Sequence, residues 1–208
     1  MQMTDRGLLA LVRHEGIVPG PYLDVADVWT FGIGHTATAG SPDPATMPRG
    51  VPADFDAGIR EAFRVFRTDL ATYEAGVRRA VKVSLAPHEF DALVSFHYNT
   101  GGIARAALTR HLNAGNRVAA ADALMGWLKP AAIRPRREAE RDLFRHARYP
   151  TGTIPVWSVD HNGRADFSRP VRRLTETEAL ALLAGSNPDP IPNLKPMSPP
   201  GGSGCFVF

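Results

Sequence analysis

Residues 14–36 read HEGIVPGPYLDVADVWTFGIGHT, and the change of periodicity at this stretch decides the fold. Before it, apolar residues recur at helical spacing. Thr4 or Asp5 can cap the start of a helix, and Gly16 can end it in a left-handed conformation. Its second half alternates with the two-residue period of a strand. The stretch therefore predicts a helix over about residues 5–15, followed by a small β-hairpin.

Three polar side chains around this hairpin could act together. Glu15 falls in the last turn of the helix, Asp24 where the hairpin begins, and Thr30 on the returning strand. A carboxyl there faces the negative end of the helix dipole, which favours the protonated acid. Two carboxyl groups that straddle a bond are the minimum for glycoside hydrolysis, one as the acid and one ionised. On residue types alone, however, a solvated Glu, a turn Asp and a strand Thr are favoured.

The spacing matches a family signature. Glu15, eight residues, Asp24, five residues, Thr30 and then Gly-Ile-Gly-His at 32–35 resemble the phage-type lysozymes, the glycoside hydrolase family 24 muramidases. The resemblance implies an α+β fold with a small N-terminal β-hairpin lobe, a larger helical lobe and a cleft between them. It also implies Glu15 as general acid, Asp24 as the carboxylate that stabilises the transition state, and Thr30 as its partner in orienting water. In an inverting reaction the two carboxyl groups lie about 6.5–9.5 Å apart.

Residues 90–101, 119–127 and 136–141 are similar to the helical lobe of the same family. The resemblance places Asn99 at the cleft, where its amide could bind a sugar acetamide; a helix C-cap is the simpler interpretation. Arg137 could bind an anionic glycan or its peptide carboxylates. A solvated helix face with i,i+4 ion pairs is nevertheless the favoured interpretation of the arginine-rich segment at residues 134–148.

Further residues follow from the pattern around the hairpin. Gly34 is a candidate substrate-binding residue, because glycines on one face of a strand let another group approach the backbone. The resemblance pairs His35 with Asp69 as a structural contact, which would raise the pKa of His35. No residue spacing indicates a metal site, and the expected chemistry needs no metal and no cofactor.

A long helical pattern runs from Asp54 to Val81, and in the family this is the helix between the lobes. The loop at 36–51 is long for its place; it could overhang the cleft, and a solvated surface loop is at least as compatible with its composition.

The composition narrows the class of protein. The 208 residues carry a net charge of +3 and one cysteine, Cys205, which excludes an internal disulfide and a multi-cysteine metal site. No run approaches the roughly 18 apolar residues of a membrane span. Mild basicity suits an anionic polymer such as a bacterial wall, whereas no aromatic–basic pattern indicates a nucleic-acid binder.

No signal peptide is recognised, so we expect synthesis in the host cytoplasm, release by a holin or a partner export route, no membrane anchor, and a monomer.

Three segments are expected. Residues 1–149 form the lysozyme-like catalytic domain, 150–185 an elaboration packed on the helical lobe, and 186–208 a Pro/Gly-rich extended tail. A hairpin turn at 160–163 and a capped short helix over 179–184 are predicted within the elaboration. The last four residues fit a C-a-a-X prenylation box, which we reject because a bacterial or phage setting lacks that modification.

The expected function is that of a phage endolysin, a muramidase that cleaves the β-1,4 bond between N-acetylmuramic acid and N-acetylglucosamine for host cell lysis. Two alternatives stay open. A lytic transglycosylase would need the acid but no water, and a non-catalytic wall-binding or phage structural component would need neither.

Overall fold

The computed structural model describes residues 1–186; most of the predicted tail, including the C-a-a-X match at 205–208, lies outside these residues. The helices are α1 Asp5–Glu15, α2 Phe55–Ala80, α3 Pro87–Thr100, α4 Ala107–Asn113, α5 Arg117–Ala123, α6 Arg134–His146 and α7 Glu176–Ala184. The strands are β1 Val18–Leu23, β2 Trp29–Gly32, β3 His35–Thr36, β4 Ile154–Val156, β5 Ser158–Val159, β6 Ala165–Asp166 and β7 Arg172–Leu174. The protein thus has the expected α+β, lysozyme-like architecture, with N-terminal strands and a helical body.

Helix α1 has the predicted bounds and the predicted caps. The Thr4 hydroxyl accepts a hydrogen bond from the Gly7 amide at 3.0 Å. Gly16 ends the helix at φ +72°, a conformation that favours glycine. Its apolar residues, such as Leu9 and Val12, are fully buried. The helix end, and with it Glu15, is therefore fixed by local sequence.

The three N-terminal strands form an antiparallel sheet in the order β1-β2-β3. Val18 pairs with Gly32 and Tyr22 with Thr30, so β1 has two more residues than β2 between these pairs. The extra residues fall within the Pro-Gly-Pro segment at 19–21. Proline has no amide proton to donate to a neighbouring strand, and such an interruption belongs at a bulge.

Helix α2 connects the sheet to the helical body. It spans 26 residues, about 39 Å at 1.5 Å per residue, and the Asp54 side chain caps it by accepting from the Ala57 amide at 2.9 Å. It packs on β1 and β2 near its start and on α3. The prediction of one long helix from Asp54 is confirmed.

The elaboration packs differently from the expectation. Its strands β4 and β5 contact α1 and β1, and α7 contacts α2. Val159 joins Val18 and Tyr22 in a small apolar cluster. Residues 150–185 therefore lie against the β lobe as well as the helical lobe, because β5 supplies an apolar partner to the face of β1 that bears Val18 and Tyr22.

The predicted elements within the elaboration are present with small shifts. β5 and β6 form the hairpin around residues 160–164. The helix begins at Glu176, three residues before the predicted start, because Thr175 caps it together with Glu178. Ser186, expected to open the extended tail, is buried and its hydroxyl donates to the Leu183 carbonyl at 2.6 Å.

Candidate active site

Glu15 is the last residue of α1 and is buried, with 8% of its surface exposed. Its Oε1 accepts a hydrogen bond from Nη1 of Arg136 at 2.6 Å. Arg136 is buried as well; it also donates from Nε to Glu140 Oε1 at 3.1 Å and from Nη2 to the Ser95 carbonyl at 3.3 Å. The guanidinium of Arg136 thus places beside Glu15 a positive charge that opposes the effect of the helix dipole, and the sequence pattern did not predict this contact.

Arg136 keeps its positive charge although it is buried. Burial by itself would lower its pKa, but the carboxylates of Glu15 and Glu140 outweigh burial and raise the pKa above its ordinary value. His14, the neighbour of Glu15, behaves in the opposite way. Burial together with the charges of Arg136 and Arg137 lowers the pKa of His14 to about 3, so this imidazole is neutral at physiological pH.

A helical signal could have identified Arg136. It lies four residues before Glu140, and both share a face with Leu143 and Phe144, which are buried. Apolar residues at i+3 and i+4 from a Glu indicate that the face turns inward. The solvated-face interpretation is therefore wrong for this part of α6.

Asp24 lies immediately after β1 and is half-buried. Its Oδ1 accepts hydrogen bonds from the amides of Ala26 at 2.8 Å and Val28 at 2.9 Å. Asp27, at φ +57°, completes the tight turn into β2. Oδ1 is thus held in place by two amides, and Asp24 and Glu15 stand at the two ends of β1.

Thr30 lies on the central strand of the sheet and has no exposed surface. Its Oγ1 donates to the Val28 carbonyl at 3.1 Å. The sheet register places Thr30 opposite Tyr22 on one side and Thr36 on the other. The hydroxyl is therefore hydrogen-bonded to the turn residue just before its own strand in this structure.

Gly34 adjoins a tyrosine that sequence reasoning missed. The Tyr98 hydroxyl donates to the Ile33 carbonyl at 2.6 Å, and a Cβ on Gly34 would meet this hydroxyl at 3.1 Å. Burial raises the pKa of Tyr98 well above its ordinary value, and the charges of Glu15 and Asp69 raise it further. Tyr98 therefore stays a neutral donor that ties α3 to the turn between β2 and β3.

Asn99 and Arg137 are brought together, but not as expected. Arg137 has no exposed surface; its guanidinium donates to Glu140 and to Oδ1 of Asn99. Because a fully buried side chain does not reach a glycan, the expectation that Arg137 binds anionic substrate is wrong for this structure. The C-cap interpretation of Asn99 is also wrong, since α3 continues through Thr100 and Gly101 takes the left-handed position at φ +59°.

The contact expected between His35 and Asp69 is present. His35 Nδ1 lies 2.9 Å from Asp69 Oδ2, and Nε2 lies 2.7 Å from the Pro42 carbonyl oxygen. Burial would lower the pKa of His35, but its hydrogen bond and charge interaction with Asp69 outweigh burial and raise it. Both ring nitrogens face acceptors, which favours the doubly protonated ring.

Within residues 1–186, no group of three or more His, Cys, Asp or Glu side chains is placed to hold a metal ion. In the same range, no helix combines the length and the apolar character that crossing a membrane requires.

Comparison with known proteins gives consistent matches. Residues 12–140 match the phage lysozyme family. The chain is 34% identical to the endolysin of Salmonella phage P22 over 150 residues, which cover 69% of this chain and 98% of that protein. The solved endolysin of Escherichia coli O157:H7 phage FAHEc1 superposes with a TM-score of 0.62 at 28% identity, covering 73% of this chain and 98% of that one. A solved P22 lysozyme variant gives a TM-score of 0.59 at 30% identity, covering 69% and 98%.

The fold, with one carboxyl group ending α1 and a second at the first hairpin turn, is that of a lysozyme-like glycoside hydrolase. The chain belongs to the phage lysozyme family. Its function is that of an endolysin, a muramidase that acts on the peptidoglycan of the cell wall.

Proposed function

We propose that Glu15, Asp24 and Thr30 carry out the hydrolysis. In this mechanism Glu15 protonates the glycosidic oxygen between N-acetylmuramic acid and N-acetylglucosamine. Asp24 stabilises the oxocarbenium-like transition state and, with Thr30, orients the water that attacks the opposite face of the sugar, so that the configuration is inverted. The proton that this water loses passes to the carboxylate of Asp24. The observation that carries the proposal is the buried carboxyl group of Glu15 at the end of α1, joined through β1 to the fixed carboxylate of Asp24.

Arg136 has a definite part in this cycle. Once Glu15 has given its proton away, it is a buried carboxylate, and a buried charge without a partner is costly. The guanidinium of Arg136, 2.6 Å from Glu15 Oε1, stabilises that charge. Glu140 binds the same guanidinium from the other side at 3.1 Å and holds it in place. We infer that Arg136 stabilises the deprotonated acid after each proton transfer.

Thr30 needs a small rearrangement to act on water. Its hydroxyl donates to the Val28 carbonyl, and the residue has no exposed surface. A hydroxyl also accepts hydrogen bonds, so Thr30 Oγ1 can accept a hydrogen bond from the attacking water while its own bond to the Val28 carbonyl is kept. Glycan binding must then open the space beside β2.

Substrate recognition is proposed for Asn99 and Gly34. The Asn99 side chain is oriented by Arg137, which donates to its Oδ1. We propose that Arg137 acts through Asn99 and not on the glycan itself. Gly34 lies at the turn that Tyr98 ties to α3, so its backbone is held steady where the glycan is expected to pass.

We also propose the biological setting. The chain would be made in the host cytoplasm, act as a monomer and reach the wall through a holin. Residues 1–149 would carry the catalytic residues. Full-length protein outside intact cells that lack a holin would contradict this route.

The decisive experiment compares Glu15→Gln with the wild-type chain on washed cell walls. We expect turbidity clearing to fall by about 10²–10⁴-fold or more, because the general acid is lost. Glu138→Gln is the matched control, since Glu138 is a partly exposed residue of α6 whose ion-pair partner Arg134 is 3.8 Å away. Near-wild-type clearing by Glu15→Gln would contradict the mechanism, and 1,6-anhydro products in the mass spectrum would indicate a transglycosylase instead.

A further inference from the structure

Both ends of β1 are bound by a second segment, residues 154–163, which we call the strap. At the first end, the Ile17 amide donates to the Pro155 carbonyl at 3.1 Å, and the Trp157 amide donates to the Ile17 carbonyl at 2.8 Å. At the other end, the Leu23 amide donates to the Gly163 carbonyl at 2.8 Å. These contacts lie two residues after Glu15 and one residue before Asp24.

Side chains close the same two junctions. The indole of Trp157 lies against Gly16, where a Cβ would come within 2.6 Å of Nε1. Gly16 directly follows Glu15 in the chain. At the far end, the ring of Trp29 lies against Gly163, where a Cβ would come within 2.5 Å of the ring. Neither junction has room for movement towards the strap.

On its opposite edge β1 pairs with β2, and this pairing is interrupted. β2 pairs with β1 only outside the interruption at residues 19–21, where two of the three residues are prolines. Val159 of the strap packs on Val18 and Tyr22, which flank this interruption. The strap therefore supplies contacts along the part of β1 that β2 leaves unpaired. It also lies outside residues 12–140, the part of the chain that matches the family.

From these contacts we propose that the strap positions Glu15 and Asp24 relative to each other, with Trp157 as the positioning residue at the Glu15 end. This inference rests on the proposed function. Two carboxyl groups that act on one glycosidic bond must keep a fixed separation. β1 is their covalent connection, and the strap holds both of its ends.

The test uses the full chain and soluble, uncrosslinked peptidoglycan strands, with initial rates measured over a range of concentrations. We expect Trp157→Ala to lower kcat by about 10–100-fold, because a misplacement of about 1 Å costs roughly 10²-fold. KM should change by less than about threefold, since Asn99 and Gly34, the residues proposed for substrate recognition, are untouched. Trp157→Phe keeps a ring against Gly16 and should recover most of kcat.

The matched control is Leu183→Ala. Leu183 is buried in the same C-terminal segment, but it lies on α7, away from the hairpin contacts of β1. It should lower Tm and leave kcat within about twofold at a temperature where the variants are folded by circular dichroism. Equal losses of kcat in Leu183→Ala and Trp157→Ala would overturn the proposal, as would a folded Trp157→Ala with wild-type kcat.

A second variant decides the matter if Trp157→Ala does not fold. Gly163→Ala puts a Cβ against Trp29 at a backbone φ of +80° and disturbs the Asp24 end of the strap. It should also lower kcat, and an unchanged kcat would overturn the proposal. A wild-type chain that releases no muramidase product would instead refute the proposed function and the strap with it.

Discussion

A chain that ends at residue 149 should not fold stably, although the family match ends before that point. Residues 150–186 contribute five large aliphatic side chains to the same apolar core as α1, α2 and α3: Ile154, Val156, Leu174, Leu182 and Leu183. Each is at most 8% exposed. The helical body and the C-terminal segment therefore share one core.

The size of this loss of stability follows from the number of buried apolar side chains that the truncation removes. At about 2 kcal/mol for each buried aliphatic side chain, the loss of burial is on the order of 10 kcal/mol, an upper figure. The remaining 149 residues must still be ordered at the same entropic cost. Because the free energy of unfolding of a typical domain is about 5–15 kcal/mol, this loss removes most or all of it.

The assay is urea unfolding followed by circular dichroism, with the chain 1–186 as control. Residues 1–186 should unfold cooperatively, whereas residues 1–149 should lack a cooperative transition or unfold at much lower urea. A chain 1–149 whose free energy of unfolding stays within about 2 kcal/mol of the control would refute the reasoning.

Two further changes test the buried charges. Arg136→Met leaves Glu15 buried without its guanidinium partner, whereas Glu140 keeps Arg137. It should cost about 3–5 kcal/mol of stability, with Arg136→Lys as the charge-keeping control; a loss below about 1 kcal/mol in urea would contradict the network. The pKa of His35 is raised in the folded state, so the contribution of its pair with Asp69 is fully present below the unfolded value of 6.5 and is lost as pH rises through the folded value. The wild-type Tm should therefore fall between pH 6 and 9 more than that of His35→Gln, and parallel curves would argue against it.

The turn that holds Asp24 shows how much can be predicted from local sequence. Asp160 accepts from the amides of Asn162 and Arg164, both at 2.8 Å, in the same pattern as Asp24 with residues 26 and 28. Both turns also have a residue with positive φ three positions on, Asp27 and Gly163. An Asp at the start of a tight turn is thus predictable, but the turn alone does not distinguish Asp24 from Asp160. Asp24 is distinguished by its spacing from Glu15, which matches the family signature.

The arginine at the acid could not be chosen from the sequence. Arg136 and Arg137 are adjacent, and both are buried, yet only Arg136 contacts Glu15. Neighbouring residues on a helix point about 100° apart, so the choice depends on how α6 is rotated against α1 and α3. That rotation is set mainly by the packing of α6 on α3, whereas Glu15 lies 121 residues before Arg136 in the chain.

The amino-acid sequence by itself determined the elements around the site: α1 with its caps, the hairpin with the turn at Asp24, and the long helix from Asp54. These depend on contacts within a few residues, such as a side-chain cap or a glycine at positive φ. Only the tertiary structure decided that Arg136 meets Glu15 and that the strap binds both ends of β1. The hydrogen bonds between the strap and β1 come from backbone amides and carbonyls, which all residue types except proline provide, so the side-chain pattern does not predict them.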